Sequence, residues 1–133
     1  MENSQKHNLN LTSKSSFCRN RIKCFSENNF YIFMELCPDG TLTDLVRKQG
    51  LLQEETIFST FYQLMEGYRV LRKAGIVHQD LKLANVLIKK GTLKITDFGF
   101  SILAESYKTS LTREGTLHYM PFEKLTDPNY KAD

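Results

Sequence analysis

Three polar side chains interrupt an otherwise apolar stretch in the middle of the chain. In GIVHQDLKLANVLI, residues 75–88, a carboxylate, an ammonium group and a carboxamide stand at Asp80, Lys82 and Asn85. These types are candidates for a proton acceptor, a partner for an anion and an oxygen ligand for a metal ion. Loops held between regular elements often carry catalytic groups, although a single loop Asp or Asn is more often a turn former.

A second polar interruption follows, in TDFGF, where Asp97 comes twelve residues after Asn85 at the end of the apolar run LKI. The short apolar runs IVH, VLI and LKI predict three short strands around the two loops, and Lys90-Gly91 predicts the turn between the last two. The polar residues should therefore lie in tight loops between strands.

Upstream of these loops, residues 21–36 contain two β-prone runs around Glu27-Asn28-Asn29, which predicts a hairpin. Thr41 followed by Asp44 is a candidate capping box for a short helix that ends at Gly50.

The next segment begins with acidic residues and ends with basic ones just before Gly75, which predicts a long helix. Apolar residues recur along it at helical spacing, and we expect this stripe to lie in the core. The stripe consists of Ile57, Phe61, Leu64, Tyr68 and Leu71.

Composition limits the remaining possibilities. The chain has 133 residues and a net charge of +3 from basic and acidic residues spread along it, so charge does not favour a nucleic-acid or membrane partner. Three cysteines without C-x-x-C spacing favour reduced thiols in a cytoplasmic protein. Residues 1–20 are polar and non-periodic, which predicts a disordered leader.

Together, the two polar loops and the later segment EGTLHYMPFE strongly resemble the protein kinase family, whose signatures are H-R-D-L-x-x-x-N, D-F-G and A-P-E. The resemblance implies an α+β fold in which residues 21–133 form a partial kinase domain. This part would comprise the last strands of the N-lobe and the first, mainly helical half of the C-lobe, with hinge, catalytic loop and activation segment. The matching positions are Asp80, Leu81, Lys82, Asn85, Asp97, Phe98 and Gly99.

The resemblance implies phosphoryl transfer from ATP, which depends mainly on positioning and charge neutralisation. Asp80 would orient a substrate hydroxyl and accept its proton, and Lys82 would reach the γ-phosphate. Asn85 and Asp97 would supply the oxygen ligands that Mg²⁺ prefers.

The segment YIFMELCPDGTL is similar to the kinase strand and hinge that hold adenine. Met34 would guard the back pocket, the Glu35 carbonyl and the Cys37 amide would face the base, and Leu87 would lie beneath it. Met34 and Leu87 fit an ordinary core equally well. His78 and Phe98 are similar to members of the family's buried stack, which implies a structural role for His78.

Lys82 and Thr116 follow the pattern of serine/threonine kinases, which implies Ser or Thr hydroxyls of proteins as acceptors. Residues between Gly99 and Glu123 would form the activation segment. Its candidate phosphorylation sites are Thr109, Ser110 and Thr112.

Several positions depart from the family pattern. Gln79 replaces the Arg that captures a phosphorylated activation segment through charge-assisted bonds. Ala84 and Thr41 stand where acidic residues often contact a basic substrate and the ribose, respectively. PFE in place of A-P-E keeps Glu123 in register but moves the proline.

Two alternatives to an active kinase stay open. No Gly-rich loop or V-A-I-K lysine precedes the hairpin, so we expect these 133 residues neither to fold nor to catalyse alone. A truncated or pseudokinase-like binding module is therefore the first alternative. A nucleic-acid binder is a weaker one, since its basic residues lack interleaved aromatic side chains. Those basic residues are Lys6, Lys14, Arg19, Arg21 and Lys23.

Overall fold

The computed structural model describes residues 16–18, 20–107 and 115–127, and it shows short strand pairs combined with helices. This arrangement confirms the α+β class. The strands are β1 (Asn20–Phe25), β2 (Phe30–Met34), β3 (Ile76–Val77), β4 (Val86–Lys89), β5 (Thr92–Ile95) and β6 (Ile102–Leu103). The helices are α1 (Leu42–Gln49), α2 (Glu54–Lys73), α3 (Ala104–Tyr107) and α4 (Phe122–Thr126), with 3₁₀ turns at Leu83–Asn85 and Leu117–Tyr119.

The predicted hairpin and short helix are both confirmed. Strands β1 and β2 pair antiparallel, and the Ser26 amide donates to the Asn29 carbonyl at 2.9 Å across the turn. At the start of α1, the Asp44 amide donates to the Thr41 hydroxyl and the Thr41 amide donates to the Asp44 carboxylate, which completes the capping box. Gly50 ends the helix with a φ of 66°, in the left-handed region.

The long helix α2 is confirmed, but the prediction that its whole apolar stripe lies in the core is wrong. Leu71 is buried and Leu64 packs against the core. Ile57, Phe61 and Tyr68 are 50%, 61% and 41% exposed. Among the described residues, α2 packs on β3 and β5. These two strands are short, so they cover only part of the apolar stripe.

Gly67 sets how closely α2 approaches β5. A Cβ atom at this position would lie 2.8 Å from Cδ1 of Ile95, closer than real Cβ contacts come. The glycine is buried and helical, so it is used here for close packing rather than for its conformational freedom. The helix can therefore rest directly on the strand that leads to Asp97.

The remaining strands form two antiparallel pairs, β4 with β5 and β3 with β6. The β4–β5 turn is fastened to α2 through Gln63, which donates to the Gly91 carbonyl at 3.2 Å and accepts from the Leu93 amide at 2.9 Å. Two apolar clusters form the core of the described part. One contains Phe17, Leu71, Ile76 and Ile95, and the other contains Leu42, Val86, Ile88 and Leu93.

Residues 16–18 belong to the segment predicted as a leader, and they pack on the core. The Cys18 amide donates to the Ile95 carbonyl at 3.0 Å, and Phe17 is 6% exposed. Sequence reasoning missed Phe17 as a core residue, because one aromatic side chain in a polar segment has no periodic pattern. The domain boundary at residue 20 stays a prediction. Among the helices that the structure describes, none combines the length and apolar composition needed to cross a membrane.

Candidate active site

The loop between β3 and β4 buries the first predicted carboxylate. Gln79 adopts a left-handed φ of 68°, and Asp80 follows it at 3% exposure. The Asn85 amide nitrogen donates to both the carbonyl and the Oδ2 atom of Asp80, each at 2.9 Å. Because the amide nitrogen makes both bonds, the amide oxygen of Asn85 is the atom left to contact a metal ion.

Asp80 is surrounded by hydrogen-bond donors on both carboxylate oxygens. Lys82 Nζ lies 2.8 Å from Oδ2, and the amide and hydroxyl of Thr116 donate to Oδ1 at 2.9 and 2.6 Å. Burial by itself would raise the pKa of Asp80, but the hydrogen bonds from Lys82, Thr116 and Asn85 outweigh it and lower the pKa to about 2. The carboxylate is therefore ionised at neutral pH.

The imidazole of His78 contacts the backbone of both polar loops. Its Nε2 atom lies 3.0 Å from the Thr96 carbonyl, and its Nδ1 atom accepts from the Asp80 amide at 3.3 Å. Burial lowers the pKa of His78, against smaller raising effects that include the Thr96 carbonyl and the charges of Asp80 and Asp97. The neutral Nε2–H tautomer satisfies both partners, so the imidazole supports the site as a structural group.

Asp97 lies on the second loop, beside the first. The Thr96 amide donates to the Asn85 carbonyl at 3.0 Å, which joins the residue before Asp97 to the loop that carries Asp80 and Asn85. Asp97 has a left-handed φ of 61° and an exposed side chain, and the Gly99 amide donates to its Oδ1 atom at 3.4 Å. An exposed carboxylate and an amide oxygen on adjoining loops form a donor set that fits Mg²⁺.

The residues predicted to hold adenine lie on and after β2, next to β4. Met34 ends β2 and is 51% exposed. Glu35 forms ion pairs with Lys89 at 2.8 Å and with buried Lys94 at 3.6 Å. The carbonyl of Glu35 accepts a hydrogen bond from the Cys37 thiol at 3.9 Å.

Leu87, on β4, forms an antiparallel bridge with Thr41, which follows the other residues predicted to hold adenine. The adjacent Ile88 amide donates to the Gly40 carbonyl at 2.9 Å, which holds the segment before α1 against β4. The predicted adenine residues therefore lie on segments that the fold joins by hydrogen bonds.

An aromatic stack connects the two loops to the core. The ring of Phe98 lies 4.9 Å from the imidazole of His78 and 6.0 Å from the ring of Phe17, measured between centroids. The resemblance predicted two members of this stack, and the structure adds Phe17 as a third.

Comparison with known proteins agrees with this arrangement. A family model described as a protein kinase domain matches residues 3–133. The chain belongs to the protein kinase family. It is 35% identical over 113 residues to mitogen-activated protein kinase kinase kinase 1a of Physcomitrium patens. The aligned region covers 81% of the chain and 15% of that protein.

Two further relatives are serine/threonine kinases by name. CBL-interacting serine/threonine-protein kinase 17 of Arabidopsis thaliana is 37% identical over 108 residues, 80% of the chain and 23% of that protein. Serine/threonine-protein kinase dst4 of Dictyostelium discoideum is 30% identical over 141 residues, 96% of the chain and 29% of that protein. The chain thus spans less than a third of the length of these kinases.

Two further predictions for this kinase chain concern the segment after Gly99. Glu123 is exposed on α4. The candidate phosphorylation sites Thr109, Ser110 and Thr112 lie outside the described residues.

Proposed function

We propose that this protein transfers the terminal phosphoryl group of ATP to Ser or Thr hydroxyls of other proteins, with Mg²⁺ as cofactor, and that it does so in the cytoplasm. One observation carries the proposal. The carboxylate of Asp80 is buried and ionised, and it is held by Lys82, Asn85 and Thr116 within 3 Å. An orientated anion beside an ammonium group and an amide oxygen is what phosphoryl transfer requires of a protein.

In the proposed mechanism, Asp80 receives the substrate hydroxyl as a hydrogen-bond acceptor. A pKa of about 2 makes Asp80 a weak base, so it first orients the hydroxyl. In a loose transition state the hydroxyl becomes acidic only as its bond to phosphorus forms, and Asp80 then takes the proton.

Lys82 would balance negative charge on the transferred group. Its ammonium already contacts Asp80 and the Thr116 hydroxyl, at 2.8 and 2.6 Å, and its side chain is 23% exposed. This partial exposure would allow Lys82 to contact an incoming phosphate, while the two contacts fix its direction. Asn85 and Asp97 would hold Mg²⁺, which neutralises phosphate charge when bound.

The segment around Glu35 would hold the adenine ring. The Glu35 carbonyl and the Cys37 amide are proposed to face the base, with Met34 and Leu87 as apolar neighbours. The Glu35 side chain is held by Lys89 and Lys94, so its backbone is anchored next to β4 and β5.

Two measurements test the proposal on the chain completed with the rest of a kinase domain, because these 133 residues are not expected to catalyse alone. The first is binding of a fluorescent ATP analogue with and without Mg²⁺. We expect Asp97→Asn to weaken the Mg²⁺-dependent binding about tenfold or more and to leave the metal-free binding unchanged. The matched control is Glu55→Gln, which removes an exposed carboxylate in the first turn of α2, outside the residues proposed to hold ATP and Mg²⁺. Binding that is indifferent to Mg²⁺ would contradict the metal assignment.

The second measurement is phosphate transfer to a mixture of Ser, Thr and Tyr peptides. We expect label on Ser and Thr peptides, and none with Asp80→Asn. Transfer that persists in Asp80→Asn removes the assignment of Asp80 as the proton acceptor. A chain that binds Mg²⁺ and ATP but labels no peptide refutes transfer and supports the pseudokinase-like binding module.

A further inference from the structure

Two thiols meet at the open end of the first hairpin. Asn20, the first residue of β1, pairs with Met34, the last residue of β2. Cys18 lies two residues before this pair and Cys37 three residues after it. The hairpin therefore brings together two cysteines that are far apart in the sequence.

The side chains of both cysteines point towards the same atom. Cys18 Sγ lies 3.4 Å from the Glu35 carbonyl oxygen, and Cys37 Sγ lies 3.9 Å from it. In addition to burial, the nearby Cys37 thiol raises the pKa of the Cys18 thiol. Neither sulfur takes part in the proposed phosphoryl transfer, so this contact between thiols is unexplained by that function.

The two thiols differ in environment. Cys18 is 8% exposed, whereas Cys37 is half-buried. Burial raises the pKa of the Cys18 thiol, and the neighbouring Cys37 and Glu35 raise it further. Cys18 is therefore protonated at neutral pH, and Cys37 is the thiol that an oxidant from solvent meets first.

We propose that Cys18 and Cys37 are a peroxide-sensitive thiol pair that closes to a disulfide at the base of the hairpin. In the first step, the Cys37 thiolate attacks one oxygen of hydrogen peroxide and the O–O bond breaks, which yields a sulfenic acid and hydroxide. In the second step, Cys18 attacks the Cys37 sulfur, the S–O bond breaks, and hydroxide leaves and takes the Cys18 proton as water. Two thiols and one peroxide give one disulfide and two waters.

The disulfide would also weaken ATP binding, and this part of the inference rests on the proposed function. The thiols contact the carbonyl of Glu35, which is proposed to face adenine together with the Cys37 amide. A disulfide fixes the sulfurs about 2 Å apart, so it holds Cys18 against these two backbone atoms. We expect ATP affinity to fall about tenfold, within the usual range of coupling between two sites.

The disulfide is tested on the full chain with stoichiometric hydrogen peroxide. Free thiols are then alkylated, and the non-reduced digest is analysed by mass spectrometry. We expect a peptide that links Cys18 to Cys37 and disappears after treatment with dithiothreitol. Cys24→Ser is the matched control, because Cys24 is an exposed thiol on the same hairpin, and it should leave the linked peptide unchanged. Cys37→Ser and Cys18→Ala should each abolish it.

The outcomes separate the two proposals. A disulfide that includes Cys24, or Cys37 oxidised to sulfinic acid beside an alkylated Cys18, would overturn the thiol pair. Cys18 is buried, so the result for Cys18→Ala counts only if the circular dichroism of this variant matches that of the wild type. Cys37 is half-buried, so Cys37→Ser provides an independent test. Linked peptide with unchanged ATP affinity refutes the effect on nucleotide binding. A reduced chain that binds no ATP even when completed with the rest of a kinase domain refutes the proposed function, while the linked peptide still reports on the disulfide.

Discussion

The hydroxyl of Thr116 lies 2.6 Å from Asp80 Oδ1 and 2.6 Å from Lys82 Nζ, so one side chain joins the carboxylate and the ammonium group of the proposed centre. The residue before Thr116 also packs closely against the loop that carries Asp80. A Cβ atom on Gly115, the preceding residue, would lie only 2.5 Å from the Gln79 carbonyl oxygen. The segment at 115–116 is therefore packed against the loop that carries Asp80, and the local geometry depends on a glycine followed by a hydroxyl residue.

Replacing Thr116 should separate the role of its hydroxyl from that of its backbone. Thr116→Val keeps the shape and the amide hydrogen bond but removes the hydroxyl from Asp80 and Lys82. A hydrogen bond to a charged group is worth about 1.5–3 kcal/mol, so we expect phosphate transfer to fall about 10- to 150-fold and the pKa of Asp80 to rise. Transfer rate and the carboxyl chemical shift of Asp80 as a function of pH measure the two effects. Thr116→Ser is the control and should retain both properties; an equal loss in Ser and Val would argue against the hydroxyl.

Because Gln79 replaces Arg, phosphorylation of the activation segment should not increase the activity of this protein through this position. A neutral amide cannot form the charge-assisted pair that Arg makes with a phosphate, so phosphorylation at Thr112 should not raise activity through this residue. Gln79→Arg should create such a response. The measurement is ATP turnover of both versions with and without phosphate at Thr112. Phosphate-dependent activity that is equally strong in both would contradict this prediction.

His78 should make the free energy of unfolding depend on pH just below neutrality. Its pKa is lowered in the folded state, mainly by burial, relative to about 6.5 in the unfolded chain. The unfolded state then binds the proton more readily, so the stabilisation is complete above about pH 6.5 and is lost as pH falls through this value towards the folded-state pKa. Asp80 acts in a separate window, where stability is lost as pH falls from about 5 towards 2.

Urea unfolding at pH 7.5, 6.5 and 5.5 tests the role of His78. His78→Phe keeps an aromatic ring against Phe98 but cannot titrate, so its stability should be lower at pH 7.5 and should change less between these values. The variant loses the contacts with Thr96 and Asp80, which accounts for the lower starting stability. An unchanged pH dependence in His78→Phe would mean that another group titrates.

The terminal methyl group of Ile95 should oppose a side chain at position 67. Alanine normally stabilises a helix by about 1 kcal/mol relative to glycine, yet a methyl group here would lie 2.8 Å from Ile95 Cδ1. Overpacking of this kind costs about 1–3 kcal/mol, so we expect Gly67→Ala to destabilise the chain.

A double-mutant cycle identifies the atom responsible. Ile95→Val removes Cδ1, so Gly67→Ala should cost less, or should stabilise, in that background. The measurement is the free energy of unfolding of the four proteins from urea titrations. Purely additive effects would show that the two side chains do not collide.

Local interactions explain why much of the fold could be predicted from the sequence. The turn between Ser26 and Asn29 and the capping box of Thr41 and Asp44 each depend on residues three positions apart. Such contacts form wherever the chain goes afterwards, so their residue types suffice. The two loop motifs were visible because several residue types match the family signatures at fixed spacing, whereas a single loop Asp or Asn is more often a turn former.

Contacts between distant segments were decided only by the tertiary structure. Thr116 and Asp80 are 36 residues apart, and nothing local shows that the hydroxyl of one bonds the carboxylate of the other. The position of Phe17 against Phe98 likewise depends on how a short segment packs beside β5.

The same division between local and tertiary information applies to α2. Helical periodicity determined that α2 forms and that it has an apolar stripe. Which part of the stripe is buried depended on how α2 packs on β3 and β5, and this is a property of surfaces from distant segments. The sequence by itself determined the hairpin, α1, α2 and the types of reactive group, because these follow from neighbouring residues. The tertiary structure decided which groups meet, because packing of distant segments sets those distances.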